Sequence, residues 1–289
     1  MFQIGIESYS YHRYFGELRQ GESPVDKKIT MIEFLNMVSE YKPSSIGLQT
    51  CFVNFKDGTF LNELTSLLLE REHSLVVSWG HPSGLELGKN KDAYKDLLIK
   101  MSWAKELKAE HFRIVIDSPK LWNIESTKET IKRVMPLLNN IVEIANENKL
   151  NVSIENHGGL KMEVYYEILN SIDNKYFGMT FDIGNFIRTG EKIENGLNLL
   201  GEYIKVVHIK DFILEGLKPG DPDGWWPTVA LGEGNLPLED TLLELNKLNF
   251  KGPVLVELMA PLNNNEHENE TIKKSLDFLN ELQNLHRLE

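Results

Sequence analysis

Four polar residues stand at the ends of four consecutive apolar runs. Glu155 closes NVSIE, Asp182 closes FGMTFD, His208 lies in IKVVHIKD and Glu257 lies in GPVLVELMA. Each run reads as a buried strand ending in a carboxylate or an imidazole. The last interval is about twice the others. If the strands lie side by side and parallel, all four side chains emerge on one rim. Two glutamates, one aspartate and one histidine meeting there make a divalent-metal site, with carboxylates left over for proton transfer. An oxygen-rich set with one imidazole suits Mn²⁺, Mg²⁺ or Co²⁺, and admits Zn²⁺.

The elements that must position these residues alternate along the whole chain. β-rich runs begin at Phe2, Ser44, Ser74, His111, Leu150, Tyr176, Ile204 and Gly252, and helical periodicity follows each of them. The longest helical stretch, KETIKRVMPLLNNIVEIANEN, contains Pro136, which predicts a kink or a break. Eight βα units of roughly 36 residues predict a single (β/α)8 TIM barrel over residues 1–289, close to the usual size of about 250 residues. An open doubly wound sheet would carry a Gly-rich phosphate turn after its first strand, and IESYSYHRYFG is not one. In a parallel barrel the C-terminal strand ends form the active face.

Several motifs resemble those of the xylose-isomerase-like TIM barrels. They are Glu155-Asn156-His157, FDIGN around Asp182, HIKD from His208 to Asp211, LGEGN from Leu231 to Asn235, and VELM around Glu257. That superfamily includes sugar and sugar-phosphate isomerases and epimerases, and endonuclease IV. The resemblance spans essentially the whole chain. It implies that Glu155, Asp182, His208 and Glu257 bind one divalent ion. It further implies that Glu155 and Glu257 face a substrate from opposite sides, one removing the proton beside a carbonyl and the other returning one to the enediolate. A carboxylate bound through one oxygen keeps its second for the proton. The sequence departs from the epimerase pattern at Asn185, where a histidine is common. His157, two residues after Glu155, suits a base in a lyase or dehydratase acting on a keto-sugar or cyclic polyol, or a partner supporting the ligands.

Further residues fall on the same predicted rim. His81 follows the third strand, and Lys210 suits neutralisation of an oxyanion or phosphate, or a salt bridge with Asp211 or Glu233. Glu7 ends the first strand, and Tyr9, Tyr11, His12 and Arg13 follow as a sugar-binding wall or as loop packing. Asn185 is a further substrate contact. Trp225 and Trp226 follow the turn signal DPDG, and suit stacking on a sugar ring or burial against a second subunit in a homo-oligomer. The amides of Gly232 to Asn235 precede a helix and suit a phosphate or a tight cap. His73 and His111 precede strands on the opposite rim, and His267 and His286 lie in or near the last helix; all four read as structural or exposed.

The bulk composition bounds the partners. A formal net charge of −12 lacks the basic stripe of a nucleic-acid binder, while leaving room for a local basic pocket. Abasic-site repair would need further zinc ligands, but the stretch before LGEGN reads WWPTVA. Cys51 is the only cysteine, and neither a signal peptide nor a membrane span is evident, which predicts a cytoplasmic protein acting on a small-molecule sugar, keto-sugar or sugar phosphate. A non-catalytic barrel is the remaining alternative.

Overall fold

Each expected strand forms, and the ladder closes on itself. The computed structural model describes residues 1–19, 21–117, 126–214, 226–259 and 267–285. In chain order the strands are β1 (Gln3–Glu7), β2 (Ser45–Gln49), β3 (Ser74–Ser78), β4 (His111–Ile114), β5 (Asn151–Glu155), β6 (Phe177–Asp182), β7 (Ile204–Ile209), β8 (Asp211–Phe212), β9 (Thr228–Val229) and β10 (Pro253–Val256). Eight of them make a closed, all-parallel barrel in the order β1-β10-β7-β6-β5-β4-β3-β2. β8 and β9 form a separate antiparallel pair over the rim.

Helices cover the outside: α1 (His12–Phe15), α2 (Met31–Val38), α3 (Gly58–Glu70), α4 (Lys91–Glu106), α5 (Thr127–Asn148), α6 (Met162–Ser171), α7 (Asn185–Thr189), α8 (Ile193–Leu200), α9 (Leu238–Lys247) and α10 (Glu268–Leu285). Local chemistry sets their starts. Thr30 and Glu33 form a reciprocal capping box on α2, and the Asp57, Asn90 and Ser126 side chains cap α3, α4 and α5. Pro136 does not break α5. It lies on the exposed face with Lys132, so the carbonyl that loses its partner faces water. No helix among the described residues is long and apolar enough to cross a membrane.

The strands separate two interiors. Outward-facing apolar residues such as Ile6, Ile46, Val77, Phe112, Ile154, Phe181 and Val254 pack under the helices as the main core. Inside the barrel, among the described residues, Val76, Val206 and Leu255 form an apolar plug. The rest of the barrel interior is polar: Glu7, Ser78 and Arg113 are fully buried, and the hydroxyls of Ser153 and Thr180 are 2.6 Å apart. Gly47 makes room for this polar layer, because a Cβ there would lie 2.1 Å from Glu7 Oε2. Buried polar groups at such density need mutual partners, and that requirement fixes their geometry.

β4 is shorter than the run HFRIVID suggests. The carbonyls of Val115 and Ile116 leave the ladder to accept the amides of Leu85 and Leu87, which ties the loop after β3 to the rim.

Candidate metal centre

Strand termination places the four candidate ligands. Glu155 is the last residue of β5 and Asp182 the last of β6, while His208 is next to last on β7 and Glu257 follows β10. Asp182 and His208 pair directly across the β6–β7 ladder, above a register shift at Met179/Thr180. One ligand atom from each of the four residues lies within 4.8 Å of all the others, and all four residues are buried.

The imidazole is the hub. His208 Nδ1 lies 3.5 Å from Glu155 Oε1, 3.7 Å from Glu257 Oε1 and 3.8 Å from Asp182 Oδ2. Its other nitrogen, Nε2, faces Glu7 Oε2 at 3.6 Å. Neither nitrogen has a hydrogen-bond partner. Burial pulls the imidazole pKa down, but Glu257, Asp182 and Glu155 outweigh it and hold it up at about 10.

The carboxylates are oriented from behind. Asp182 Oδ1 accepts the amides of Gly184 and Asn185 at 2.9 and 3.0 Å, which turns Oδ2 inward. Asn156 clamps β5 to β6 through two 2.8 Å bonds to the Asp182 backbone. Arg113 Nε lies 3.0 Å from Glu155 Oε2, with both side chains 1% exposed, and Arg113 also donates to the Trp79 carbonyl. Lys210 Nζ is 2.7 Å from Asp182 Oδ2 and in close contact with Glu257 Oε2. Burial pushes Glu155, Asp182 and Glu257 up, but Arg113 at the first and Lys210 at the other two outweigh it and keep all three ionised. Glu7 goes the other way: burial raises it, and His208 and Arg113 offset this only in part.

The donor set suits a divalent cation. Glu7, Glu155, Asp182 and Glu257 bring four carboxyl groups into one buried region, and Arg113 and Lys210 are the fixed cations between them. Oxygen ligands with one imidazole nitrogen are the chemistry of Mn²⁺, Mg²⁺ or Zn²⁺.

The remaining predicted residues divide into several groups. His157 lies at the mouth, half-buried, with Nδ1 lacking a partner and its ring 6.5 Å from that of His81; burial holds its pKa down at about 4. His81 Nε2 is 2.9 Å from Glu17 and 3.2 Å from Arg19, and its ring meets Tyr9 edge-on at 4.9 Å. Asn185 Nδ2 reaches Glu155 Oε1 at 3.4 Å. Glu7 sits beneath the candidate ligands, and its carboxylate accepts from Ser78 at 2.8 Å. His12 is taken up inside its own loop, with Nδ1 on the Tyr9 carbonyl and Nε2 on Glu22, both at 2.9 Å. Trp226 is 3% exposed and packs 6.0 Å from Phe212, while Trp225 and DPDG lie outside the described residues.

Two alternatives left open by the sequence resolve. The amides of Gly232, Gly234 and Leu236 do not await a phosphate, because each donates to the Asp211 carboxylate at 3.0 Å. That commitment also removes Asp211 as a partner for Lys210, and Glu233 pairs with Lys274 instead. Arg113 and Gln49 escaped the sequence reading. Gln49 ends β2, 2% exposed, with Oε1 lacking a partner. The signal for Arg113 was present: a lone cation inside HFRIVID marks a polar barrel interior.

Comparison with known proteins agrees with this fold. Residues 62–282 match the family model described as xylose isomerase-like TIM barrel. The inosose isomerase of Bacillus subtilis is 28% identical over 158 residues, covering 52% of this chain and 55% of that protein. The chain spans about half the length of the curated relatives it matches. Among solved structures, an L-ribulose 3-epimerase superposes with a TM-score of 0.76 at 13% identity, covering 99% of this chain and 96% of that one. The IOLI protein with a bound zinc atom superposes with a TM-score of 0.75 at 18% identity, covering 97% and 98%. At these identities the structural likeness shows the fold.

Proposed function

The chain belongs to the xylose isomerase-like TIM-barrel family, and on that premise we propose that it is a divalent-metal-dependent isomerase or epimerase of a sugar or sugar phosphate. The observation that carries this reading is the convergence of Glu155, Asp182, His208 and Glu257 within 4.8 Å on four buried strand ends. Its relatives include an inosose isomerase, and its structural neighbours include ketose 3-epimerases.

Glu155, Asp182, His208 and Glu257 would hold the ion, which supplies Lewis-acid polarisation of a carbonyl oxygen and so makes the neighbouring carbon acidic enough for a carboxylate to deprotonate. Glu155 and Glu257 stand on β5 and after β10, with β6 and β7 between them, and so flank the space above His208. One takes the proton from the carbon and the other returns one to the opposite face. Arg113 keeps Glu155 ionised and ready to accept. Lys210, against the second oxygen of Glu257, places an ammonium beside any oxyanion that develops there. His81, His157 and Asn185 line the approach as hydrogen-bonding groups for hydroxyls.

A second reading rests on His157. A half-buried imidazole held neutral, with an unpartnered nitrogen at the mouth, suits the base of a lyase or dehydratase on a keto-sugar or cyclic polyol. A ketose panel assayed with Mn²⁺ tests both. Isomeric products without unsaturated ones, abolished in Glu155→Gln and Glu257→Gln, support the isomerase. Release of water that depends on His157 supports the lyase. Full activity in both glutamine variants refutes the assignment.

A further inference from the structure

The opposite end of the barrel holds a feature that the proposed chemistry does not use. A recess of about 500 Å³ opens where the strands begin, with His111, Glu202, Lys205, Asn249 and Lys251 among its lining. That size is typical of small-molecule pockets. In a chain with a net charge of −12 it gathers two lysines and an imidazole against one exposed carboxylate, Glu202.

His111 begins β4, two residues before Arg113, and therefore turns into the barrel like Arg113. It is 7% exposed, and its Nδ1 is buried without a hydrogen-bond partner. Lys205 stands at the start of β7. Its ammonium donates to the Lys175 carbonyl at 3.0 Å, which leaves two of its three donors for another acceptor. Burial lowers the Lys205 pKa, and no carboxylate offsets it. Burial, and then the charge of Lys205, hold His111 down as well, and both residues line the recess. Lys251 reaches the recess from the exposed segment before β10.

We infer that this recess is a second binding site, for a small oxyanion such as phosphate or the phosphoryl group of a metabolite, with the Lys205 and Lys251 ammonium groups as its donors and the His111 ring in its wall. The site is separate from the carboxylate cluster. Lys205 and His208 lie on the same strand about 10 Å apart, at about 3.3 Å per residue, with the Val76, Val206 and Leu255 plug inside the barrel. An anion there gives the two remaining Lys205 donors and the exposed Lys251 ammonium an acceptor.

The test uses the full chain and its histidine imidazole NMR signals, with His111 assigned by its loss in His111→Asn. Inorganic phosphate and glucose 6-phosphate are titrated separately at constant ionic strength. The expected result is a saturable 1:1 shift of the His111 signal with no change at His208, and at least tenfold weaker binding in Lys205→Met. Lys251→Glu lies on an exposed residue, leaves the fold intact, and is expected to weaken binding at least tenfold as well. Tighter binding of glucose 6-phosphate identifies a metabolite as the natural source, and equal binding identifies free phosphate; both support the site. No saturable shift in the wild type, or unchanged binding in Lys205→Met and Lys251→Glu, overturns it.

Discussion

Replacing Arg113 with methionine removes the cation on which the polar interior depends. Arg113 is 1% exposed and lies 3.0 Å from Glu155. It also lowers Glu7, a carboxyl that burial otherwise raises. Methionine keeps much of the volume and removes the charge, so Glu155 loses its cation in a site closed to water. Breaking a buried pair from one side costs about 3–5 kcal/mol, most of it the penalty of the charge left behind. For 289 residues, an unfolding entropy of about 2.1 cal/mol/K each gives about 0.6 kcal/mol/K, so Tm should fall by about 5–8 °C. Scanning calorimetry of the wild type, Arg113→Met, Glu155→Gln and the double variant closes a cycle. The double variant should be more stable than Arg113→Met alone, since neutral glutamine does not need the guanidinium. A Tm within about 1 °C of wild type for Arg113→Met, or strictly additive losses, would refute the view that this pair holds the layer beneath the ligands.

Two further outcomes follow from the same geometry. Glu7 faces the second nitrogen of His208, so Glu7→Gln should weaken Mn²⁺ binding by roughly 10–100-fold in a competition titration, the usual cost of losing a carboxylate behind a ligating histidine; unchanged affinity would show that Glu7 does not orient the ring. His111 titrates near 4 when folded against about 6.5 when unfolded, so its contribution is fully present above about pH 6.5 and is lost as pH falls toward 4, by about 3 kcal/mol in total. In phosphate-free buffer His111→Asn should therefore flatten the acid limb of the stability curve, and a limb identical to wild type would contradict the burial argument.

Much of this architecture was legible in the residues themselves. Alternation of apolar runs with helical periodicity fixed the eight barrel strands, because parallel strands covered on both faces must be nearly continuously apolar. The strand-end positions of Glu155, Asp182, His208 and Glu257 then placed them on one rim without further information. Less was visible where a residue's partner is distant in sequence. Asp211 lies beside Lys210 yet turns away to bind three amides more than twenty residues later, a choice made by loop closure. His12 reads as a site residue from its neighbours Tyr9 and Tyr11, but Glu22 and a backbone carbonyl take both of its nitrogens. The short helices α1 and α7 are single turns held by the rim, too short to carry a periodic signal.

The central claim is that Glu155, Asp182, His208 and Glu257 share one divalent ion. Calorimetric titration of the purified chain with Mn²⁺, beside the Asp182→Asn variant, tests it most directly. The account predicts one ion per chain for the wild type, accompanied at a hundredfold excess over Kd by about 2.7 kcal/mol of stabilisation, or about 4 °C in Tm, with both effects largely lost in Asp182→Asn. No saturable binding in the wild type, or equal binding by the variant, would contradict it.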